Sequence, residues 1–180
     1  MHALIHSVAK AAILDTLNHT NTIDMTALRS LYPEFSQPKA TFVTLYLHKQ
    51  LRGCIGSLSA YRPFLEDLIG NAKAAAFDDP RFYPLSKEEF LHVSIEISLL
   101  SVPRPLLYTD SADLKSKINV GRDGIILQKE GRKATFLPQV WEQLPAFEHF
   151  FAQLCQKAGL DASCIESHPD IWVYQVEKVT

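Results

Sequence analysis

Alternating apolar and polar positions predict short β-strands along this chain. In one of them Val93, Ile95, Ile97 and Leu99 fall on one face and Glu96 on the other, because successive side chains of a strand point to opposite sides. The predicted strands span residues 40–47, 51–58, 91–101, 125–127, 134–136 and 170–179. Two pairs of these strands are separated by only a few residues, which indicates hairpins.

Apolar residues spaced three and four apart predict helices between the strands. The helices run from Leu4 to Leu17, from Thr26 to Leu31, from Pro63 to Ala76, for one or two turns after Ser86, from an Asp110 cap to Ile118 and from Phe147 to Ala158. Hairpins with intervening helices indicate an α+β fold with a mainly antiparallel sheet flanked by helices. Pro103 and Pro105 suggest a boundary between the main part and a smaller lobe near 103–137.

Length and composition suit one globular domain over 1–180, since 47% of the 180 residues are hydrophobic. The formal net charge of -2 and the scattered basic residues argue against nucleic acid or an anionic membrane as a partner. No apolar run is long enough for a membrane span, and the first residues lack the features of a signal peptide. An odd number of cysteines at irregular spacing (Cys54, Cys155 and Cys164) fits a reducing cytoplasm better than a disulfide framework.

The hexapeptide 51–56, Leu-Arg-Gly-Cys-Ile-Gly, is the most informative motif of the chain. Alternation along a strand would place Arg52 and Cys54 on one face, and a thiol beside a fixed cation is a setting that favours a thiolate nucleophile or redox thiol. Gly53 and Gly56 are costly inside a strand and mark a bulge or a place where a ligand or another backbone comes close. The alternative is a buried cysteine that only packs, next to a surface arginine.

Two further features allow both a functional and a structural interpretation. The loop that contains Asp79, Arg81 and Phe82 could supply an acid, an anion-binding guanidinium and a stacking ring, or it could be a rigid turn with an internal ion pair. Glu96 could point into a cleft, or it could lie on the solvated face of its strand. The histidines show no paired-ligand spacing, so we expect no catalytic zinc, and the sequence identifies no cofactor.

Five blocks of the chain occur in an order that resembles the AMMECR domain family. The blocks are residues 42–45, the hexapeptide 51–56, 79–82 with 84–85, 120–121 with 124–125, and 136–140. Among prokaryotic members the chain is similar to AmmeMemoRadiSam system protein A, and the resemblance extends from the first helix to the last strand. It implies a two-part α+β fold with a cleft between the parts, lined by the hexapeptide and the 79–82 loop. It also implies association with a Memo-like protein and a radical SAM protein.

Two functional hypotheses follow from the residues and the resemblance together. The first is a cytoplasmic enzyme of a Memo/radical SAM module that acts on a small anionic or carbonyl-bearing substrate. Cys54 would be the nucleophile or a redox thiol, Arg52 and Arg81 would hold an anionic group, and Asp79 or Glu96 would orient an arginine or handle a proton. The second is a non-catalytic binding or adaptor module for one of those partner proteins, in which Cys54 is inert and the glycines let a partner approach.

Overall fold

The computed structural model describes residues 1–180, which divide into two compact units. Unit 1 comprises Met1–Leu100 and Glu177–Thr180, and unit 2 comprises Ser101–Val176. The second unit therefore continues beyond the 103–137 region that the sequence indicated. No helix is both long and apolar enough to cross a membrane.

Unit 1 combines helices with an antiparallel three-strand arrangement. Its helices are α1 (His2–Asn18), α2 (Met25–Leu31), α3 (Phe64–Phe77) and α4 (Lys87–Phe90), with a 3-10 turn at Pro33–Ser36. Its strands are β1 (Thr41–Leu47), β2 (Gln50–Gly56) and β3 (Val93–Leu100). β1 lies in the middle and pairs antiparallel with β2 on one side and β3 on the other. The capping box predicted at Ser86 begins α4, with reciprocal hydrogen bonds between Ser86 and Glu89.

The inner face of these strands packs against α1 and α3. Val43, Leu45 and Ile97 are fully buried there, together with Leu65 and Leu68 of α3. This burial follows from the sequence pattern, because the apolar positions of each strand share one face and those of each helix form one stripe. The opposite, outer face of the strands carries the polar members of the alternation.

A β-bulge interrupts the pairing of β1 with β2. Leu45 lies opposite Gly53 and Tyr46 lies opposite Leu51, so Arg52 is the extra residue of the bulged strand. A bulge breaks the simple alternation of faces. The alternation that would place Arg52 beside Cys54 is therefore interrupted at Arg52 itself.

Unit 2 is built on a hairpin and the long last strand. Its elements are β4 (Arg104–Pro105), α5 (Ser111–Lys117), β5 (Asp123–Lys129), β6 (Arg132–Phe136), α6 (Phe147–Lys157), β7 (Asp170–Val179, whose last residues belong to unit 1) and two 3-10 turns at Pro138–Glu142 and Cys164–Ser167. β5 pairs antiparallel with both β6 and β7, and β4 with β7. Trp141 stacks on Phe150 of α6 at 3.5 Å between ring centroids in the core of this unit. These pairings confirm the α+β class with antiparallel strands.

Cys155 and Cys164 form a disulfide, which the cysteine spacing did not lead us to expect. α6 ends at Lys157, and Gly159 takes a positive φ of 74° that turns the chain back. The 3-10 turn that starts at Cys164 is thereby brought beside the end of α6, with the two Cα atoms 5.8 Å apart. The expectation that the cysteines form no disulfide is wrong for this pair, because sequence spacing cannot show how a chain folds back.

Candidate active site

Cys54, Thr44 and Glu96 form one row across the outer face of the unit 1 strands. Thr44 of β1 lies opposite Cys54 of β2 and opposite Glu96 of β3, and residues directly opposite each other share a face of the sheet. The Sγ of Cys54 is 3.3 Å from the Oγ1 of Thr44. Cys54 and Glu96 stand two strand spacings apart, about 10 Å, so they share the face without direct contact.

Cys54 is the free cysteine of the chain and is partly exposed. Its backbone lies on the outer edge of β2 and is held there by the 79–82 loop. The backbone N–H of Cys54 donates to Asp79 Oδ2 at 2.8 Å, and its carbonyl accepts a long bond of 3.4 Å from Arg81 Nη2. These side chains provide hydrogen-bond partners for peptide N–H and C=O groups that would otherwise be unpaired at the edge of the sheet. The position of Cys54 is thus set on both sides, by β1 and by the loop.

Asp79 and Arg81 are joined by a bidentate ion pair. Arg81 Nε and Nη2 donate to the two carboxylate oxygens of Asp79 at 2.9 and 2.7 Å. The hydrogen bond from Arg81 is the main reason that the pKa of buried Asp79 lies well below its ordinary value. The pKa of Arg81 is raised, mainly by its hydrogen bond to Asp79, and the negative charge of a Cys54 thiolate contributes to the rise. Arg81 therefore lies close enough to Cys54 for the charges of the two side chains to interact.

Arg52 is directed to a different partner from the one the sequence suggested. Its Nε and Nη2 donate to the two carboxylate oxygens of Glu89 at 2.8 and 2.9 Å, and Nη2 also donates to the carbonyl of Tyr83. The hydrogen bond from Arg52 is the largest cause that lowers the pKa of Glu89 to about 2. The side chain of Arg52 is only 11% exposed, against 54% for Arg81. A ligand in solvent can therefore reach Arg81 more easily than Arg52.

Phe82 lies near both guanidinium groups. Its ring centroid is 5.7 Å from the Cζ of Arg52 and 5.5 Å from the Cζ of Arg81, within the range of cation–π attraction. The ring thus links the two ion pairs beside the edge of β2. Its predicted role in binding a substrate stays a prediction.

The two glycines of the hexapeptide allow close packing within unit 1. A Cβ on Gly53 would lie 2.1 Å from the carbonyl oxygen of Ala75 in α3, and one on Gly56 would lie 2.2 Å from the ring of Phe42. The close approach predicted for these positions is therefore one to the protein's own helix and ring. A substrate-binding role for Gly53 and Gly56 stays a prediction.

Glu96 is joined on the outer face by residues that the sequence did not single out. Lys178 of β7 forms an ion pair of 3.1 Å with Glu96, and Tyr46 projects from the same face of β1 as Thr44. Only the strand register brings these residues together with Cys54, and sequence alone does not give the register between β3 and β7. The alternation of Thr44 with Tyr46 was the one signal that could have found Tyr46.

The sequence of this chain is similar to one protein family over nearly its whole length. The AMMECR1 family model matches residues 6–179, nearly the whole chain. The chain belongs to the AMMECR1 family. This AMMECR1-family chain is 38% identical over 148 residues to a protein of Methanothermobacter thermautotrophicus, covering 79% of the chain and 74% of that relative. It is 35% identical over 156 residues to protein MJ0810 of Methanocaldococcus jannaschii, covering 82% and 72% of the two chains.

A solved structure supports the fold of this AMMECR1-family member. The crystal structure of the uncharacterized protein PH0010 from Pyrococcus horikoshii matches with a TM-score of 0.78 and 31% sequence identity. The match covers 97% of this chain and 88% of the other. The family and the α+β fold expected from the resemblance are thereby confirmed.

Proposed function

We propose that this AMMECR1-family protein is a thiol-dependent enzyme that uses Cys54 as its nucleophile on a small substrate. The observation that carries the proposal is the setting of this one free thiol. It is partly exposed, it lies 3.3 Å from the hydroxyl of Thr44, and its backbone is held by the Asp79–Arg81 ion pair. A nucleophile needs access, a fixed position and a nearby group that favours its anion.

The charged residues of the predicted site receive separate roles in this proposal. Arg81 contacts an anionic group of the substrate, because its side chain is the more exposed guanidinium. Asp79 and Arg52 are positioning residues, since Asp79 holds the Cys54 backbone and Arg52 is paired with Glu89. Glu96 handles a proton at the far end of the row.

The proposal places the protein in the cytoplasm, in a module with a Memo-like protein and a radical SAM protein. Its support is the family resemblance, which implies that association. Under this proposal the partner proteins supply or consume the small substrate of the Cys54 site.

The test is the rate at which iodoacetamide alkylates Cys54 in the folded protein at neutral pH, followed by peptide mass spectrometry. We expect Cys54 to react in the native state, and Arg81→Gln to slow the reaction about three- to tenfold through loss of a nearby positive charge. Arg122→Gln, which changes an exposed arginine of unit 2, is the matched control and should leave the rate unchanged. If Arg81→Gln fails to fold, Arg81→Lys keeps the charge and should react nearly as fast as the wild type.

A thiol that reacts only after unfolding would overturn the enzyme proposal. It would favour the second candidate, a binding or adaptor module for the partner proteins. The observation that supports the adaptor function is that Arg52 and Arg81 already pair with Glu89 and Asp79, as in a rigid structural loop. In that case Cys54→Ala should bind a Memo-like or radical SAM partner as tightly as the wild type, measured by calorimetry with the purified proteins.

A further inference from the structure

Tyr46 lies next to the row of Cys54, Thr44 and Glu96 on the outer face of the unit 1 strands. In β1 it follows Thr44 on the same face, one pleat along the strand. It is therefore a diagonal neighbour of Cys54 in β2 and of Glu96 in β3, and diagonal neighbours are within reach of an aromatic side chain. Tyr46 is partly exposed, so a ligand beside Cys54 can meet its ring and hydroxyl.

Burial and the neighbouring negative charges favour the protonated form of the Tyr46 hydroxyl. Burial is the main reason that the pKa of Tyr46 is raised, and the negative charges of Glu96 and of a Cys54 thiolate raise it further, partly offset by Lys178. A protonated phenol is a hydrogen-bond donor. The site thus combines a thiol with a neutral O–H donor one pleat away.

We propose that Tyr46 is a catalytic residue of the Cys54 site and that the substrates of this site are small carbonyl compounds that carry a carboxylate. The inference rests on the proposed function, because it assigns Cys54 the role of nucleophile. The carbonyl is indicated by the thiol and the O–H donor, which together match the carbon and the oxygen of one C=O bond. The carboxylate is indicated by Arg81, whose Nη1 donates no hydrogen bond to the protein.

The step is an addition that conserves all atoms. The thiol of Cys54 gives its proton to water, and a sulfur lone pair forms an S–C bond to the carbonyl carbon. The π pair of the C=O bond moves to the oxygen, which takes the proton of the Tyr46 hydroxyl, and water returns a proton to the phenolate. The product is a hemithioacetal, formed without any oxidant or reductant.

The experiment compares two probes of Cys54, glyoxylate and iodoacetamide. Glyoxylate is an aldehyde with a carboxylate, and its adduct is detected as protection of Cys54 against alkylation. Iodoacetamide loses iodide and needs no proton donor. We expect Tyr46→Phe to weaken protection by glyoxylate about tenfold, roughly the effect of one lost hydrogen bond, and to leave the rate with iodoacetamide unchanged. Tyr61→Phe, at a 70% exposed tyrosine of the same unit, is the control and should behave as the wild type.

The outcomes separate this inference from the proposed function. The inference is overturned if glyoxylate protects the wild type and Tyr46→Phe equally, or if it does not protect the wild type at all. In either case, alkylation of the folded protein by iodoacetamide would still support Cys54 as the nucleophile. If Tyr46→Phe lowers the iodoacetamide rate by the same factor as it weakens glyoxylate protection, Tyr46 has only a structural role, and the inference is also overturned. A wild-type thiol that is inert to iodoacetamide in the folded state would overturn the proposed function itself.

Discussion

The guanidinium of Arg52 and the carboxylate of Asp79 are both withdrawn from solvent, and each is compensated by one nearby partner. Arg52 is paired with Glu89 and Asp79 with Arg81. Removing one member of such a pair leaves an uncompensated charge, which costs more than the pair contributes as a whole. Both pairs hold the chain next to Cys54, so stability and the geometry of the candidate site depend on the same residues.

Acid should destabilise the protein through these carboxylates. The pKa of Glu89 is about 2 in the folded protein against an ordinary value of 4.5, and that of Asp79 is also lowered. A lowered pKa means that the folded state binds the proton less readily, so the stabilisation is complete above about pH 4.5 and is lost as the pH falls towards 2. Urea unfolding at several pH values should show the free energy of unfolding decreasing over this range.

The Glu89→Gln variant identifies the contribution of the Arg52–Glu89 pair. At neutral pH we expect a loss of about 1–3 kcal/mol, moderated by the partial exposure of Glu89, and a shallower fall in stability between pH 4.5 and 2. Glu88→Gln changes the exposed neighbour on the same short helix and should keep the wild-type profile. An unchanged profile in Glu89→Gln would show that the pair contributes nothing to the acid response.

At the scale of elements, the contact between β2 and α3 requires Gly53. A methyl group at this position would lie 2.1 Å from a backbone oxygen of Ala75, so the strand and the helix would have to separate. We expect Gly53→Ala to lower the free energy of unfolding by about 1–3 kcal/mol, measured by urea denaturation. Because Cys54 is the next residue, its alkylation rate should change as well.

Gly70→Ala is the matched control for that prediction. Gly70 lies on α3, and a methyl group there would meet the guanidinium of Arg62 at 3.0 Å, which is a side-chain contact rather than a backbone one. The gain in helix propensity offsets that displacement, so the stability should stay within about 1 kcal/mol of the wild type. Equal stability of Gly53→Ala and Gly70→Ala would contradict the role assigned to Gly53.

The elements were predictable because each leaves a local pattern. The last strand has the predicted limits of 170–179, and the capping box at Ser86 begins a helix as expected. The pairing of Arg52 with Glu89 leaves no such pattern, since it depends on how β2 meets a helix that lies more than thirty residues later in the chain. The glycines indicated a bulge, but only the pairing of β1 with β2 shows that Arg52 is its extra residue. The row from Cys54 to Glu96 likewise exists only once the strand register is fixed.

At the scale of the whole molecule, the two compact units are stabilised by different means. Unit 1 has a helix-covered sheet and the ion pairs near Cys54, whereas unit 2 has the disulfide between Cys155 and Cys164. The loop closed by that disulfide spans nine residues in sequence, and a loop of this length corresponds to about 2–3 kcal/mol in the chain-entropy description. Loss of the disulfide should therefore act on unit 2.

Reduction of the folded protein should expose this difference between the units. With the disulfide reduced, amide hydrogen exchange should become faster in the peptides of α6 and of the Cys164–Ser167 turn, because both sulfurs and the turn at Gly159 lie within unit 2. Exchange in the peptides of β1, β2 and α3 should be unchanged, and the Cys155→Ser variant should reproduce the pattern without reductant. Alkylation of the denatured, unreduced protein should modify Cys54 alone; modification of all three cysteines would show that the pair is a dithiol in the isolated protein.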